Sequence, residues 1–343
     1  MHHHGSGHAN RTRLLADRLP ARVPVHVFTS AADRFVGWER GTVHELPPDT
    51  APDRDPAGDL LTDEVLHYAP VDLPGLQHRM AHMASWIAEN RPSLFVVDLS
   101  VEVLLLARLC GAPTALVRLH GHRDDPAHRA AFRLAEWLIA PFPPSLEDSH
   151  TPDWVRHKTY YLGAFSRYDQ RTETREACRR ELQLPSEGRI LTVVNGAGGG
   201  AQEISRWEAV AQACPDWTIL LVGKLPASTR DLENLKPVGY VPDTFPYLKA
   251  ADVVVGSGGT NTMMEVGAAR VPFLSLPEPR PFDEQSCKMR ALERLGLTRS
   301  VSADLAPAEW GKLLETARRQ DTRAWERVFG WRPEESGPFG NEG

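Results

Sequence analysis

Residues Val253 to Gln285 read VVVGSGGTNTMMEVGAARVPFLSLPEPRPFDEQ. A β-branched run, Val253 to Val255, stops at the turn Gly256-Ser257-Gly258-Gly259. An apolar-periodic segment carrying Glu265 follows, then a second short strand from Val271 to Leu276, then Asp283-Glu284-Gln285. A strand, a glycine turn and a helix start together present unpaired backbone N–H groups and a positive helix end, which suits a phosphate. Glu265 lies six residues beyond Gly259, nearly two helical turns in, where a carboxylate accepts from ribose hydroxyls. Asp283, Glu284 and Gln285 offer the acceptors and the donor that read sugar hydroxyls. The stretch predicts a nucleotide-sugar pocket.

This segment resembles the donor-binding domain of GT-B glycosyltransferases, and within them the family 28 type. The resemblance rests on Asp252, Gly256 to Gly259, Thr262, Glu265, Gly267-Ala268, Val271-Pro272 and Glu284-Gln285 at the family's spacing. It implies an α/β chain with two Rossmann-like, doubly wound domains facing across a cleft. It also implies donor-site residues at Gly258, Gly259, Thr260, Asn261, Thr262, Glu265, Asp283, Glu284 and Gln285.

The rest of the chain is read outward from there. A length of 343 residues suits two domains. A formal charge of -6 gives no electrostatic drive toward nucleic acid. No apolar run approaches the roughly 18 residues of a membrane span, and no signal-peptide pattern is seen. The four cysteines, Cys110, Cys178, Cys214 and Cys287, lack CxxC spacing, which suits free thiols in a cytoplasmic protein.

Strand-like and helix-like segments alternate in both halves. In the first, strands are expected at Pro24–Ser30, Ser93–Asp98, Pro113–Leu119 and Leu138–Ala140, with helices at Asn10–Leu19, Leu76–Asn90, Glu102–Cys110 and Ala127–Ala135. In the second, strands are expected at Ile190–Val194, Trp217–Val222 and Pro237–Tyr240, with helices at Glu173–Leu182, Ile204–Ala213 and Thr244–Ala250. This βα alternation predicts mostly parallel sheets. The expected domains are residues 1–163 for the acceptor and 164–320 for the donor, with 321–343 a terminal helix or tail returning to the first.

A second glycine loop, Asn195-Gly196-Ala197-Gly198-Gly199-Gly200-Ala201, follows Ile190–Val194. Alone it spells a dinucleotide fingerprint, but that motif expects an acidic residue at the end of the next strand, and Gly223-Lys224 stand there. The resemblance instead gives Gly196, Gly198 and Gly199 to the donor diphosphate, and places Tyr240 and Val241 against the base. Tyr240 reads equally as a core residue.

The amino terminus reads His2-His3-His4-Gly5-Ser6-Gly7-His8, with Arg11 three residues on. It is similar to the family's first glycine loop, so Gly7 and Arg11 are expected on the acceptor side and His8 as general base. An imidazole ordinarily titrates near neutrality, which suits that task. The family's first strand would precede this loop, where only Met1 to His4 stand; His2 to His4 also read as a tag remnant. Asp98, at a strand end, is the second choice of base, and Arg118, His120 and His122 follow the next strand on the acceptor side. His120, His122 and His128 have no fixed carboxylate or Cys partner in the sequence, so no metal site is expected. Asp53-Arg54-Asp55 sits in a Pro-rich loop and reads as a turn.

The expected chemistry is inverting, metal-independent transfer from a nucleoside-diphosphate sugar, most simply a UDP-sugar, to a hydroxyl of a small-molecule acceptor such as a natural product. No cofactor is expected beyond that co-substrate. N–H groups of Gly258 and Gly259 would stabilise the leaving diphosphate. Expected partners are these two substrates, with no nucleic acid; a homodimer is a compatible assembly. The alternatives are a UDP-sugar epimerase or hydrolase on the same fold, and a non-catalytic nucleotide-sugar-binding subunit that needs a partner.

Overall fold

The computed structural model describes residues 7–51, 65–195, 203–224, 228 and 230–332. The chain divides into two compact units. The first comprises Met1–Pro141, His150–Leu162 and Arg332–Gly343, and the second Phe142–Ser149 and Gly163–Trp331.

The first unit runs α1 (Gly7–Asp17), β1 (His26–Thr29), β2 (Thr42–Glu45), α2 (Pro74–Asn90), β3 (Phe95–Asp98), α3 (Val101–Leu109), β4 (Thr114–Val117), α4 (Pro126–Leu134), β5 (Trp137–Ala140), α5 (Asp153–Lys158) and β6 (Thr159–Tyr161). Among the described residues, β1 and β2 form one parallel pair, and β3-β4-β5-β6 form a second parallel sheet in sequence order. All four residues of β4 are buried, as a strand covered on both faces requires. Ser100 and Asp125 cap α3 and α4, each side chain accepting a backbone N–H from the first turn. β2 and β6 escape the sequence reading because Thr42-Val43-His44-Glu45 and Thr159-Tyr160-Tyr161 contain no run of aliphatic residues.

The second unit runs α6 (Arg175–Glu181), β7 (Arg189–Asn195), α7 (Ile204–Ala213), β8 (Trp217–Gly223), β9 (Leu235–Gly239), α8 (Phe245–Ala250), β10 (Val253–Gly256), α9 (Thr260–Ala269), β11 (Phe273–Ser275), α10 (Glu284–Arg294), β12 (Arg299–Ser300), α11 (Pro307–Ala317) and α12 (Ala324–Gly330). Its six strands are all parallel, in the order β12-β11-β10-β7-β8-β9. The order reverses between β7 and β10, and such a reversal opens a crevice at the carboxyl ends of the two strands. Asn195, leading to the second glycine loop, and Gly256, opening the first, end these two strands. The loop residues Gly196, Gly198 and Gly199 themselves lie outside the described residues, as do Asp53 to Asp55.

Buried Val253, Val255, Leu191 and Val193 form the centre of the sheet's core, with Trp207 of α7 and Trp310 of α11 packed edge to face at 5.3 Å. Asp252 is fixed by Arg179 at 2.9 Å and Arg175 at 3.0 Å, and accepts the Ile190 N–H at 2.8 Å. This ties α6 to the starts of β7 and β10.

Two parts of the chain group differently from the sequence expectation. Phe142–Ser149 belongs to the second unit, where Phe142 and Leu146 are buried and Arg294 Nη2 donates to the Glu147 carbonyl at 2.6 Å. α12 also packs within the second unit, against α9, rather than returning to the first. The reason is a close approach: a Cβ on Gly267 would stand 2.7 Å from the Trp325 ring and 2.8 Å from the Phe329 ring. Only a residue without a side chain lets α12 seat there. Arg332 groups with the first unit.

Candidate functional site

In the second unit the glycine turn follows β10, and Gly259 caps α9. The turn is held from behind by α10. Gln285 Oε1 accepts the Gly258 N–H at 2.9 Å and the Glu278 N–H at 2.8 Å. A Cβ on Gly258 would lie 2.9 Å from the Gln285 Cβ, so the glycine is needed for α10 to come this close. Two residues expected at the donor site are thus bound to each other. The Gly258 N–H is paired with Gln285 Oε1 in this structure. The Gln285 carbonyl end is a clamp on the turn, with the residue only 5 % exposed. The first-turn amides of α9 are the ones without an intrahelical acceptor.

Lys288, also on α10, is buried beneath the same turn. Its Nζ donates to Thr260 Oγ1 at 2.7 Å, the Gly258 carbonyl at 3.3 Å and Glu284 Oε1 at 3.3 Å. Glu284 is therefore paired with Lys288, and the exposed member of the acidic cluster is Asp283. Asp283 and Phe282 both take left-handed backbone, with φ of 52° and 60°. Two consecutive non-glycine residues in that region store strain of the kind that gathers at binding sites.

Glu265 is buried on α9, with Arg167 Nε at 2.8 Å from one oxygen and Thr244 Oγ1 at 3.2 Å from the other. Burial pushes its carboxyl above the ordinary carboxylate range, against the pull of Arg167. Arg167 also donates to the Pro242 carbonyl at 2.9 Å, so it joins α9 to the segment after β9. That segment carries Tyr240 and Val241. Tyr240 is 71 % exposed, which removes the core reading. Thr262, in the first turn of α9, packs its methyl against Gly256. Asn261 beside it is half-buried.

Asn195 Nδ2 donates to the Lys224 carbonyl at 2.6 Å. The neighbouring Gly223 has φ of 110°, and a Cβ there would stand 2.2 Å from the Asn195 carbonyl oxygen. The end of β8 thus has neither an acidic side chain nor space for one.

In the first unit, His8 and Arg11 share a face of α1, three residues apart, and both meet Asp98 at the end of β3. His8 Nδ1 lies 2.7 Å from Asp98 Oδ2. Arg11 donates to Asp98 Oδ1 from Nη2 at 2.7 Å and from Nε at 3.1 Å. Burial alone would raise the Asp98 carboxyl, but the Arg11 guanidinium and the His8 imidazole hold it well below the usual carboxylate range. Arg11 Nη2 also lies 3.1 Å from His8 Nδ1, but the ionised carboxylate at 2.7 Å is closer and calls for a donor there, which leaves Nε2 as the basic nitrogen of His8. A carboxylate held so firmly ionised is a poor base itself. Gly7 opens the helix.

Arg118 and His120 follow β4. Both are buried, and Arg118 donates to Thr159 Oγ1 at 2.8 Å and to the Tyr161 hydroxyl at 3.3 Å. They continue a strand that is buried along its whole length. Exposed His122 stacks on His150 with ring centroids 4.2 Å apart. These rings, with Arg118, Arg123 and Asp124, line a cavity of about 60 Å³.

His128 does have a carboxylate partner, which the sequence reading missed. Asp125 takes His128 Nδ1 at 2.6 Å and His67 Nε2 at 2.8 Å. The three could ligate a cation. In the structure their polar atoms bind one another, and Arg123 Nη1 lies 3.0 Å from His128 Nε2, a poor neighbour for a metal-bound imidazole.

The residues that sequence reasoning missed are Arg167, Thr244 and Lys288. Lys288 stands four residues after Glu284, a visible helical pair. Arg167 is 98 residues from Glu265, and no local pattern marks it.

Comparison with known proteins agrees with this geometry. Residues 222–320 match the glycosyltransferase family 28 C-terminal domain. A protein of Methanosarcina mazei described as an uncharacterized glycosyltransferase is 35 % identical over 201 residues, covering 56 % of this chain and 51 % of its own length. The UDP-N-acetylglucosamine--N-acetylmuramyl-(pentapeptide) pyrophosphoryl-undecaprenol N-acetylglucosamine transferase of Rubrobacter xylanophilus is 26 % identical over 213 residues, covering 61 % of this chain and 60 % of its own. The chain thus spans between about half and three-fifths of the length of these two relatives. Among solved structures, the glycotransferase of kitacinnamycin superposes with a TM-score of 0.67 at 17 % identity, covering 95 % of this chain and 90 % of that one. The fold is that of the GT-B glycosyltransferases, and the second unit carries a family 28 C-terminal domain. Among the described residues no helix is long and apolar enough to cross a membrane.

Proposed function

We propose that the chain is an inverting glycosyltransferase. It moves a sugar from a nucleoside-diphosphate sugar, most simply a UDP-sugar, to a hydroxyl of a small-molecule acceptor, without a metal or resident cofactor. The observation that carries this reading is the glycine turn at the reversal of strand order, clamped by Gln285 and leading into α9 with Glu265 on the same helix. The first-turn amides and the helix dipole suit the diphosphate. Glu265, positioned by Arg167, suits the ribose. Exposed Asp283 and the strained backbone at Phe282 suit the sugar end.

His8 takes the proton of the acceptor hydroxyl at Nε2, with Asp98 holding Nδ1–H. The acceptor oxygen then bonds to the anomeric carbon as the bond to the diphosphate breaks, and the diphosphate leaves with the electron pair. The UDP-sugar is supported by the substrate in the name of the Rubrobacter relative, and the small-molecule acceptor by the likeness to the kitacinnamycin enzyme.

The test is thermal stabilisation by UDP, dTDP, GDP, ADP and NAD, since a ligand that binds only the native state raises the melting point. Selective stabilisation by UDP or dTDP is expected. Stabilisation by NAD alone would overturn the reading.

A further inference from the structure

Lys288 has no part in the scheme above, yet it is 1 % exposed and sits under the glycine turn. Resting on the donor-site reading, we propose that Lys288 is a positioning residue for the donor diphosphate: it aims the Thr260 hydroxyl at that group and cancels the charge of Glu284 beside it.

An ammonium donates three hydrogen bonds and accepts none. Thr260 Oγ1, 2.7 Å from Lys288 Nζ, is therefore the acceptor in that pair. Its own proton must point elsewhere. Thr260 is the first residue of the ten-residue helix α9 and is half-buried, so its hydroxyl lies among the first-turn amides that lack intrahelical acceptors. A hydroxyl polarised by a cation is a stronger donor to an anionic oxygen. The same ammonium holds the Gly258 carbonyl at 3.3 Å, while Gln285 holds the Gly258 N–H. α10 thus fixes both sides of the turn. Glu284, four residues before Lys288 and 3.3 Å from its ammonium, would repel a diphosphate if it stood alone. The pair presents no net charge.

A charge-orienting role and a purely structural one differ in their effect on ligands with and without phosphate. The experiment is calorimetric titration of the full chain with UDP and with uridine, for the wild type, Lys288→Met, Thr260→Val and the double variant. The ratio of UDP to uridine affinity is expected to fall roughly tenfold in each single variant, the size of one charge-assisted hydrogen bond. The double variant should fall little further, because the two groups act as one unit. Equal losses for both ligands, or an unchanged ratio in Thr260→Val, would overturn the proposal. Thr260→Val decides the matter if Lys288→Met does not fold. A wild type that binds UDP no better than uridine would overturn the donor-site reading itself, and this proposal with it.

Discussion

Asp98 Oδ2 lies 2.7 Å from His8 Nδ1, and Arg11 spans the other side of the same carboxylate. The two residues are 90 apart in sequence; the proposed roles are a base for His8 and its orienting carboxylate for Asp98. Replacing His8 by Ala should slow sugar transfer by about 10²–10⁴-fold, the range for a positioned general base. Asp98→Asn should give a loss of similar order with donor affinity unchanged, because the wrong tautomer is then favoured. UDP release in the presence of an acceptor measures both. Near-normal turnover in His8→Ala would remove the base assignment.

Glu265, the carboxylate of α9 proposed for the ribose, is held by Arg167 at one oxygen and Thr244 at the other. Glu265→Gln should weaken UDP binding by about tenfold, since a charged acceptor is replaced by a neutral one. Binding of a 2′,3′-dideoxy nucleotide should be nearly unaffected. Equal weakening of both ligands would show that Glu265 acts through the fold rather than the sugar.

Asp252 accepts from two arginines and a backbone amide in a buried setting. Its removal leaves Arg179 buried without its charge partner. Asp252→Ala should cost on the order of 3–5 kcal/mol of stability. Denaturant unfolding measures it, and a loss below about 1 kcal/mol would contradict the structural role given to this pair.

Glycine inside a helix usually gains up to about 1 kcal/mol on replacement by alanine. Gly267 should behave in the opposite sense, because the added methyl meets Trp325 at 2.7 Å and Phe329 at 2.8 Å. Gly267→Ala is expected to destabilise by about 1–3 kcal/mol as α12 is pushed from α9. A raised melting temperature would show that α12 is not seated as described.

His128 gives the first unit a pH dependence. Burial, and next the Arg123 charge, lower its imidazole from 6.5 to about 4, although Asp125 pulls the other way and His67 stands beside it. Between those values the unfolded chain binds more protons than the fold, so acidification favours unfolding. Full stability is expected above pH 6.5, with a loss on the order of 2–3 kcal/mol by pH 4. His128→Asn should flatten the melting temperature across that window, and a slope equal to the wild type's would assign the effect to another group.

The donor half was legible because its signals are local. Val253 to Val255, the glycine turn and the periodic segment around Glu265 lie within a few residues of one another, and the structure makes them β10, a turn and α9. The short strands β2, β6 and β12 were not legible, since TVHE, TYY and RS hold no aliphatic run like those of β3, β4 and β10. The burial of Arg118 and His120 was not legible either. Arg118 and His120 look like polar strand-end residues, and only the packing around β4 shows them buried.

What the sequence determined by itself was the alternation of strands and helices, the place of the glycine turn, and the likeness to family 28 glycosyltransferases. These follow from backbone preferences and from side-chain period, which act over a few residues. The tertiary structure alone decided which groups meet: His8 with Asp98, Arg167 with Glu265, and Gln285 and Lys288 with Gly258. It also joined the Gly258 N–H to Gln285 of α10. Each of these pairings depends on how strands order themselves in a sheet and how closely helices pack on it. That is set by the burial of the whole core, and no single stretch of sequence contains it.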